Sequence, residues 1–257
     1  MIERNPKTEK LDSVPINEMA IKVIGLGGVG GISARYICMY LGALPSASRV
    51  VFIDGDKFEE KNSSRMFFSS SGNKAHVTRE DLLPYLKDAR VTLIDIPEFI
   101  EPENAERLIR DGDWVILAVD NHATRKLVND HCMGLRNVTL ISGGNDGIET
   151  KPDGKVLRGT YGNVQISVRR NGVSLSPDLT AFHGEIQHPT DKLPTDVSCT
   201  ELLESVPQIL FTNLAVASAI CNAFWLCLCN ALHYSELALD IQDGRMQPLP
   251  LPAPQLP

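Results

Sequence analysis

The stretch that decides the fold runs Ala20-Ile-Lys-Val-Ile-Gly25-Leu-Gly-Gly-Val-Gly-Gly31, a short apolar strand that leads into a glycine-rich turn. Helical spacing of apolar residues follows over 32–44, so the turn should connect a strand to a helix. Glycines in such a turn let the backbone approach phosphate groups closely, and the helix N-terminus adds N–H donors and a positive dipole. The turn therefore predicts a nucleotide site, to which we assign Gly25, Gly27, Gly28 and Gly30.

The alternation of strand and helix continues along the first 145 residues. Apolar strands are predicted at 20–24, 50–53, 91–96, 114–119 and 138–142, and Gly143-Gly144 should end the last of them. Helices are predicted at 32–44, 74–83, 103–110 and 122–135, and Pro84 should end the second. Such alternation is typical of a mostly parallel sheet with helices on both faces. The predicted fold class is therefore α/β, a Rossmann-like doubly wound sheet.

The second half of the chain carries different patterns. Residues 155–160 and 163–169 alternate in polarity around Gly162, which predicts an antiparallel extension of the sheet. A long proline-containing crossover loop at about 172–200 precedes helical pattern at 201–232, which Pro207 should break or restart, and a last strand at 236–241. We therefore divide the chain into an N-terminal segment (1–17), one domain (18–247) and a proline-rich tail (248–257). The tail should be disordered or polyproline II.

Composition excludes several classes of function. The net charge is -7 and the basic residues are not clustered, so no nucleic-acid surface is evident. No signal-peptide pattern opens the chain, and polar residues interrupt the most apolar stretch, 209–232. We therefore expect a buried helix there, no membrane association and a cytoplasmic location. The six cysteines lack Cys-x-x-Cys spacing, so no zinc is expected.

Charged residues downstream of the second strand narrow the class of ligand. Asp54 ends that strand, where a carboxylate can accept hydrogen bonds from ribose hydroxyls. Arg65 and Lys74 follow, and two cations near the glycine turn suit a triphosphate better than a dinucleotide. The simpler alternatives are that Asp54 caps the turn at the strand end and that both cations are solvated surface residues.

Four separated motifs, taken in order, resemble the ThiF/MoeB/E1-like adenylyltransferase superfamily. Members of this superfamily activate the C-termini of ubiquitin-like and sulfur-carrier proteins. The resemblance covers residues 18–145 well and the remainder in outline. The matching positions are Asp54-x-Asp56, Asn62-x-x-Arg65, Lys74, and Asp120-Asn121 with Arg125 at the end of the fourth strand.

The resemblance implies a reaction and a role for each matching residue. A C-terminal carboxylate would attack ATP, release pyrophosphate and leave an acyl-adenylate, with ATP and Mg²⁺ as the required cofactors. Asp120 would bind Mg²⁺, which prefers one or two carboxylates plus phosphate oxygens, although this residue could instead cap the following helix. Besides the four glycines, the nucleotide site would comprise Asp54, Asp56, Asn62, Arg65, Lys74 and Asn121. The catalytic residues would be Arg65, Lys74, Asp120 and Cys199.

Cys199 enters this set because similar proteins carry a cysteine in the crossover loop that accepts the activated carbonyl as a thioester. The predicted helix just after it would also lower the pKa of the thiol. Many relatives only adenylate, so a purely structural Cys199 is the alternative. A thioester would imply transfer onward to an E2-like acceptor.

The sequence also departs from the family pattern. The paired Cys-x-x-Cys zinc motifs are absent, and so is the N-terminal arginine motif that reaches the ATP bound by the partner subunit. These departures indicate a divergent, zinc-free bacterial member, and the resemblance implies a homodimer. His183-Gly-Glu-Ile-Gln-His188 lacks the His-Glu-x-x-His arrangement, so we predict no metal site there.

Three other functions remain open at this point. The same adenylation could act on a peptide or a modified tRNA base. The glycine turn with Asp54 would also suit an NAD-dependent oxidoreductase. A non-catalytic binding scaffold that recruits partners through the proline-rich tail is the third.

Overall fold

The protein folds around one large twisted sheet, as a computed structural model shows. The structure describes residues 19–59, 63, 66–150, 154, 156–196 and 207–251. The predicted N-terminal segment 1–17 lies outside the described residues, as do Asn62, Arg65 and Cys199.

The described elements alternate strand and helix up to residue 145. The strands are β1 (Met19–Ile24), β2 (Ser48–Ile53), β3 (Lys57–Phe58), β4 (Gly72–Asn73), β5 (Val91–Ile96), β6 (Trp114–Leu117), β7 (Val138–Asn145), β8 (Ile148–Thr150), β9 (Val156–Arg158), β10 (Tyr161–Arg170), β11 (Val173–Ser174), β12 (Tyr234–Asp240) and β13 (Arg245–Pro250). The helices are α1 (Gly28–Gly42), α2 (Lys74–Leu86), α3 (Pro102–Leu108), α4 (His122–Gly134), α5 (Gly184–Gln187) and α6 (Leu210–Leu228).

The main sheet confirms the predicted class, a mostly parallel sheet with an antiparallel extension. Its order is β13-β12-β10-β7-β6-β1-β2-β5, and the strands from β7 to β5 run parallel to one another. The chain first builds outward from β1 through β2 to β5, then returns to place β6 and β7 on the other side of β1. This reversal opens a crevice between the carboxyl ends of β1 and β6, where ligands of such sheets bind.

Helices cover both faces of the parallel strands. Along β1, Ile21 and Val23 contribute to one hydrophobic core, beneath α1, α2 and α6, whereas Ile24 contributes to the other, beneath α3 and α4. The same division recurs in β2, where Phe52 belongs to the first core and Ile53 to the second. Burial on both faces explains why these strands are mostly apolar rather than alternating. The exception in the middle of β1 is Lys22, which is paired with Asp113 at 3.6 Å.

The antiparallel extension differs in detail from its prediction. The two predicted strands do not form a hairpin around Gly162, because this glycine lies inside β10. β10 pairs with β7 and β12, and β9 pairs with β8. The expected end of β7 at Gly143-Gly144 was also wrong, since the strand continues to Asn145 opposite Gly162.

Proline produced two further differences between prediction and structure. Pro84 lies inside the last turn of α2 rather than ending it, because only two helical residues follow and a single backbone hydrogen bond is lost. Pro248 and Pro250 belong to β13, although we expected the tail from residue 248 to form no sheet. β13 is an edge strand, where prolines are tolerated because one side of the strand has no partner. Residues 252–257 lie outside the described residues.

One helix among the described residues, α6, is long and apolar enough by composition to cross a membrane. In this fold it is a core helix, as expected from its interrupting polar residues. Val216, Ala217, Ile220 and Phe224 are buried against the sheet. The described part of the crossover loop is more structured than predicted, since it contains β11, α5 and a short 3₁₀ turn at Pro194–Asp196.

Candidate nucleotide site

The glycine turn lies at the crevice between β1 and β6. Gly25 has a φ of +83°, and a Cβ on it would stand 2.8 Å from the carbonyl oxygen of Ala118. A Cβ on Gly30 would stand 1.9 Å from the carbonyl oxygen of Gly25. Only glycine lets the turn fold back against both the next strand and its own helix.

The N-terminus of α1 opens toward this crevice with unpaired donors. Its first intrahelical bond runs from Gly31 N–H to Gly27 O at 2.9 Å, so the N–H groups of Gly28, Val29 and Gly30 have no partner within the helix. No side chain in the described part of the chain caps the helix, and its first turn holds no acidic residue. The end of α1 therefore carries positive potential suited to a phosphate group.

Asp54 lies beneath the turn rather than at its surface. Its Oδ2 accepts the Leu26 N–H at 2.6 Å, and its Oδ1 accepts the Asp56 N–H at 2.9 Å. Burial raises the pKa of this carboxyl, while Lys74 and the two N–H donors act in the opposite direction. The contacts match the alternative role of a cap at the strand end, and the ribose role stays a prediction.

Lys74 begins α2 and reaches back to the same place. Its Nζ contacts Asp56 Oδ2 at 2.9 Å, and only 12% of its side chain is exposed. Burial by itself would lower the Lys74 pKa, but the charges of Asp54, Asp56 and Asp120 outweigh burial and raise it. The ammonium group is therefore held protonated at neutral pH among three carboxylates, which contradicts the alternative of a solvated surface lysine.

Asn73 connects these residues through the backbone. Its Oδ1 accepts the His76 N–H and so caps α2, while its Nδ2 donates to the carbonyl oxygens of Asp54 and Asp56 at 2.8 and 3.1 Å. The start of α2 is thereby fastened to the end of β2, which places Lys74 at the glycine turn. Sequence analysis missed Asn73, although an Asn immediately before a helix is a recognisable cap signal.

Asp120 follows β6 at the other side of the crevice. The alternative that it caps α4 is wrong, because the cap is Asn121, whose Oδ1 accepts the Thr124 N–H at 2.7 Å. Asp120 remains close enough to Lys74 and Arg125 to raise the pKa of both. The predicted role of Asn121 in nucleotide binding stays a prediction, and its observed contact is with the helix.

Arg125 is a buried cation directly beneath Asp120. Its guanidinium donates to Ser142 Oγ at 2.8 Å, Val119 O at 2.8 Å and Gly143 O at 3.1 Å, which ties the ends of β6 and β7 together. Burial lowers its pKa to about 10, against the opposing charge of nearby carboxylates. Gly144 is glycine for the same reason, since a Cβ there would stand 2.3 Å from the guanidinium.

Asn213 of α6 is a second residue that the sequence analysis missed. Its side chain is fully buried and lies against Gly28, where an added Cβ would stand only 2.1 Å from Nδ2. Neither Nδ2 nor Oδ1 has a hydrogen-bond partner among the residues that the structure describes. The sequence signal was weak, because α6 contains two amides, Asn213 and Asn222, and their residue type alone does not show which one is buried.

The segment that follows Arg65 is held beside the glycine turn. The methyl carbon of Met66 lies 3.8 Å from the position of a Cβ on Gly27. Arg35 of α1 donates to the Phe67 carbonyl at 2.7 Å, and the Phe68 ring stacks on Phe58 at a centroid distance of 4.7 Å. The backbone next to Arg65 is therefore anchored at the predicted site.

Within the described part of the chain, no group of three or more His, Cys, Asp or Glu residues could hold a metal ion. His183 instead forms hydrogen bonds with Glu185 at 2.8 Å and Glu236 at 2.9 Å. Of the three carboxylates described at the crevice, Asp54 accepts backbone N–H groups and Asp56 contacts Lys74. The third, Asp120, suits Mg²⁺ because that ion takes most of its other ligands from phosphate and water.

Burial also explains the chemistry of the described cysteines. It raises the thiol pKa of Cys38, Cys132 and Cys227 to about 12 and that of Cys221 to about 11. At neutral pH these four thiols remain protonated and are poor nucleophiles. Cys199 lies outside the described residues, so its role as a nucleophile stays a prediction.

Curated proteins of similar sequence include two insect MOCS3 proteins. The chain is 30% identical over 151 residues to the adenylyltransferase and sulfurtransferase MOCS3 of Drosophila virilis, covering 57% of this chain and 31% of that protein. The MOCS3 protein of Drosophila ananassae is 29% identical over 157 residues, covering 58% of this chain and 31% of the relative. The chain therefore spans less than a third of the length of these relatives.

Solved structures share the fold at low sequence identity. A crystal structure of E. coli MccB with MccA-N7isoASN has a TM-score of 0.66 and 13% identity, covering 91% of this chain and 64% of MccB. One of MccB with ATP has a TM-score of 0.64 and 12% identity, covering 92% and 65%. A sequence model of the ThiF family matches residues 7–220. This chain therefore belongs to the ThiF family, in the E1-like adenylyltransferase superfamily.

Proposed function

We propose that the protein is an ATP- and Mg²⁺-dependent enzyme that adenylates the C-terminal carboxylate of a ubiquitin-like or sulfur-carrier protein. The observation that carries this proposal is the position of Lys74. It is a protonated, largely buried lysine held at a glycine turn between carboxylates from β2 and β6. A dinucleotide site needs no such cation, whereas a triphosphate does.

Each described residue then has a defined task. The free N–H groups at the start of α1 bind phosphate oxygens, and Lys74 exchanges its contact with Asp56 for a contact with phosphate. Asp120 would hold Mg²⁺, which when bound neutralises phosphate charge and polarises the phosphorus for attack. The carboxylate attacks the α-phosphorus in line, the bond to the bridging oxygen breaks, and pyrophosphate leaves with the electron pair.

Asn62 and Arg65 complete the phosphate site in this proposal. Support comes from Met66, the neighbour of Arg65 in the chain, which lies at Gly27. A guanidinium there would spread the charge that develops as pyrophosphate departs. The E. coli MccB structure with ATP supports a nucleotide in this fold.

The carrier protein is proposed because the superfamily resemblance implies it and because MOCS3 is named an adenylyltransferase and sulfurtransferase. The structural neighbours favour a second candidate, a peptide substrate, since MccB has been crystallised with MccA and with N-formylated MccA. In both cases the chemistry at the crevice is the same, and only the group that presents the carboxylate differs.

The remaining parts of the proposal concern Cys199, assembly and location. Cys199 would attack the acyl-adenylate, form a thioester and release AMP, after which an E2-like protein would accept the acyl group.

We also propose a homodimer in the cytoplasm. The dimer is favoured by the exposed apolar side chains of Tyr36 and Met39 on α1 and of Phe211 and Leu214 on α6.

The proposal is tested by ATP–pyrophosphate exchange with Lys74→Ala. The variant should fold and lose exchange almost completely, because the Lys74 ammonium group is the cation held beside Asp54, Asp56 and Asp120 at the glycine turn. Lys126→Ala is the matched control, since this lysine pairs with Asp130 on the exposed side of α4. Unchanged exchange in Lys74→Ala would remove Lys74 from the mechanism. Thermal protection by NAD instead of ATP would support an oxidoreductase.

The thioester step is tested by trapping the acylated enzyme on non-reducing gels with a competent carrier. Cys199→Ala should retain pyrophosphate exchange and lose a thiol-sensitive adduct. Cys221→Ala is the control, because burial raises the pKa of that thiol to about 11. A wild-type enzyme that adenylates the carrier without ever forming the adduct would show that Cys199 is structural.

A further inference from the structure

Asp191, which lies far from α4 in the sequence, caps the N-terminus of this helix with its side chain. Its Oδ2 accepts the His122 N–H at 2.7 Å, and its Oδ1 accepts the Ala123 N–H at 2.8 Å. The next N–H, of Thr124, is bound by Asn121. All three leading donors of α4 are thus satisfied, two of them by one carboxylate located 68 and 69 residues further along the chain.

This contact lies in the candidate nucleotide site. Asp120, the predicted Mg²⁺ ligand, comes two residues before the His122 N–H that Asp191 binds. Asp120 and Asp191 face the same buried cation, Arg125, and both raise its pKa against the effect of burial. Arg125 in turn holds the carbonyl oxygen of Val119, directly before Asp120. Asp191 therefore binds the first turn of α4, and the backbone of this turn determines the position of the Asp120 carboxylate.

Two of the helices that begin at this edge of the sheet, α1 and α4, differ in their N-termini. At α1 no side chain of the described residues caps the leading N–H groups, whereas at α4 Asn121 and Asp191 bind them. A phosphate group placed at the α4 N-terminus would meet the carboxylate of Asp191 and be repelled. The α1 N-terminus is thereby left as the end that can accept a phosphate.

We propose that Asp191 is a positioning residue for adenylation, which acts by fixing the α4 N-terminus and through it the Asp120 carboxylate. This inference rests on the function proposed above and adds a residue to it. Asp191 does not contact the reacting atoms itself. Its loss would free the first turn of α4, so that Asp120 would hold Mg²⁺ less well.

The first test measures the cap directly. Hydrogen exchange of the nucleotide-free protein would compare wild type with Asp191→Asn, which cannot offer two acceptor oxygens. The amides of His122 and Ala123 should exchange about tenfold faster or more in the variant, as expected for a lost hydrogen bond to a charged group. Asp130→Asn makes the same charge change on the exposed part of α4 and should leave these amides unchanged.

The second test measures the consequence for Mg²⁺. We expect Asp191→Asn to need several-fold more Mg²⁺ than wild type for half-maximal thermal protection by ATP and for half-maximal pyrophosphate exchange. Asp130→Asn should match wild type in both. A purely structural cap would lower the melting temperature without moving this Mg²⁺ requirement. If Asp191→Asn does not fold, Asp191→Glu replaces it with the same expected directions, because its longer side chain cannot place both oxygens equally well.

The outcomes separate this inference from the proposed function. Unchanged amide exchange in the variant, or faster exchange with an unchanged Mg²⁺ requirement, would overturn the positioning role alone. A wild-type protein that neither binds ATP with Mg²⁺ nor supports pyrophosphate exchange would overturn the proposed function and this inference with it.

Discussion

Gly28 and Asn213 are the pair of residues that sets how closely α1 and α6 approach each other. The buried amide of Asn213 occupies the space that a side chain at residue 28 would need. Burial of an amide without hydrogen bonds costs free energy, so Asn213 stabilises the contact between α1 and α6 less than an apolar side chain of the same shape would. Gly144 shows the same steric relation, because a side chain at this position would collide with the Arg125 guanidinium.

The Gly28→Ala variant tests this close approach. Its new methyl group would stand 2.1 Å from Asn213 Nδ2 and 2.9 Å from Cγ, so α1 must move away from α6. We expect the free energy of unfolding to fall by about 1–3 kcal/mol, as for other overpacked cores, and the affinity for ATP to fall with it.

Gly31→Ala is the matched control for this variant. A Cβ at residue 31 meets only the Leu26 carbonyl oxygen at 3.4 Å, and alanine favours a helix more than glycine does. Chemical denaturation and ATP-dependent thermal shifts of both variants would measure the difference. Equal stability of the two alanine variants would contradict the packing argument.

Among the elements, α5 is the shortest α-helix described, and both the buried side chain of Ile186 and polar contacts at its N-terminal boundary hold it in place. His183, at its N-terminal boundary, bonds Glu236 of β12 and Glu185 of α5 itself. These two carboxylates raise the pKa of His183 above the ordinary value of 6.5, with Glu236 contributing most and burial opposing. The contact fastens the crossover connection to the antiparallel extension of the sheet.

The raised pKa predicts how this contact depends on pH. A group whose pKa is higher in the folded state stabilises the fold most below its unfolded pKa. Its stabilisation disappears as the pH rises through the folded value. The difference in melting temperature between wild type and His183→Gln should therefore be larger at pH 5.5 than at pH 8.5.

His188→Gln provides the comparison, because His188 ends the same helix and is exposed. Its melting temperature should follow that of wild type at both pH values. A His183→Gln difference that stays constant across this range would show that the imidazolium makes no contribution through Glu236 and Glu185.

For the whole molecule, the proposed dimer makes a prediction about mass in solution. α1 and α6 pack side by side, with the rings of Tyr40 and Phe224 at 6.5 Å, and their outer sides expose Met39 to 58% and Phe211 to 70%. Covering such side chains would contribute favourably to association. Light scattering should give twice the 28.2 kDa of one chain.

Charge substitutions on this surface test the prediction. Met39→Asp combined with Phe211→Asp should give a monomer, because two carboxylates would be buried without partners. Tyr85→Asp, at an equally exposed aromatic residue on α2, should remain dimeric. A wild-type monomer, or a dimer that survives the double substitution, would place the association elsewhere or exclude it.

Local patterns were enough to predict the parallel part of the sheet and the glycine turn. Apolar strands alternating with helical spacing predicted the positions of β1, β2, β5, β6 and β7 from the sequence alone. Lys74 is assigned to the nucleotide site because the family resemblance places a lysine shortly after the Asn-x-x-Arg motif that ends at Arg65. These inferences depend on neighbours along the chain, so the information was contained in short stretches of sequence.

The contacts between distant residues were decided only by the tertiary structure. Asp191 binds α4 across 68 residues, Asn213 reaches Gly28 from the opposite end of the domain, and β10 pairs with β7 and β12 rather than with β9. Propensity and spacing carry no information about such pairs. They form because packing two cores around one sheet brings side chains together that no local rule connects.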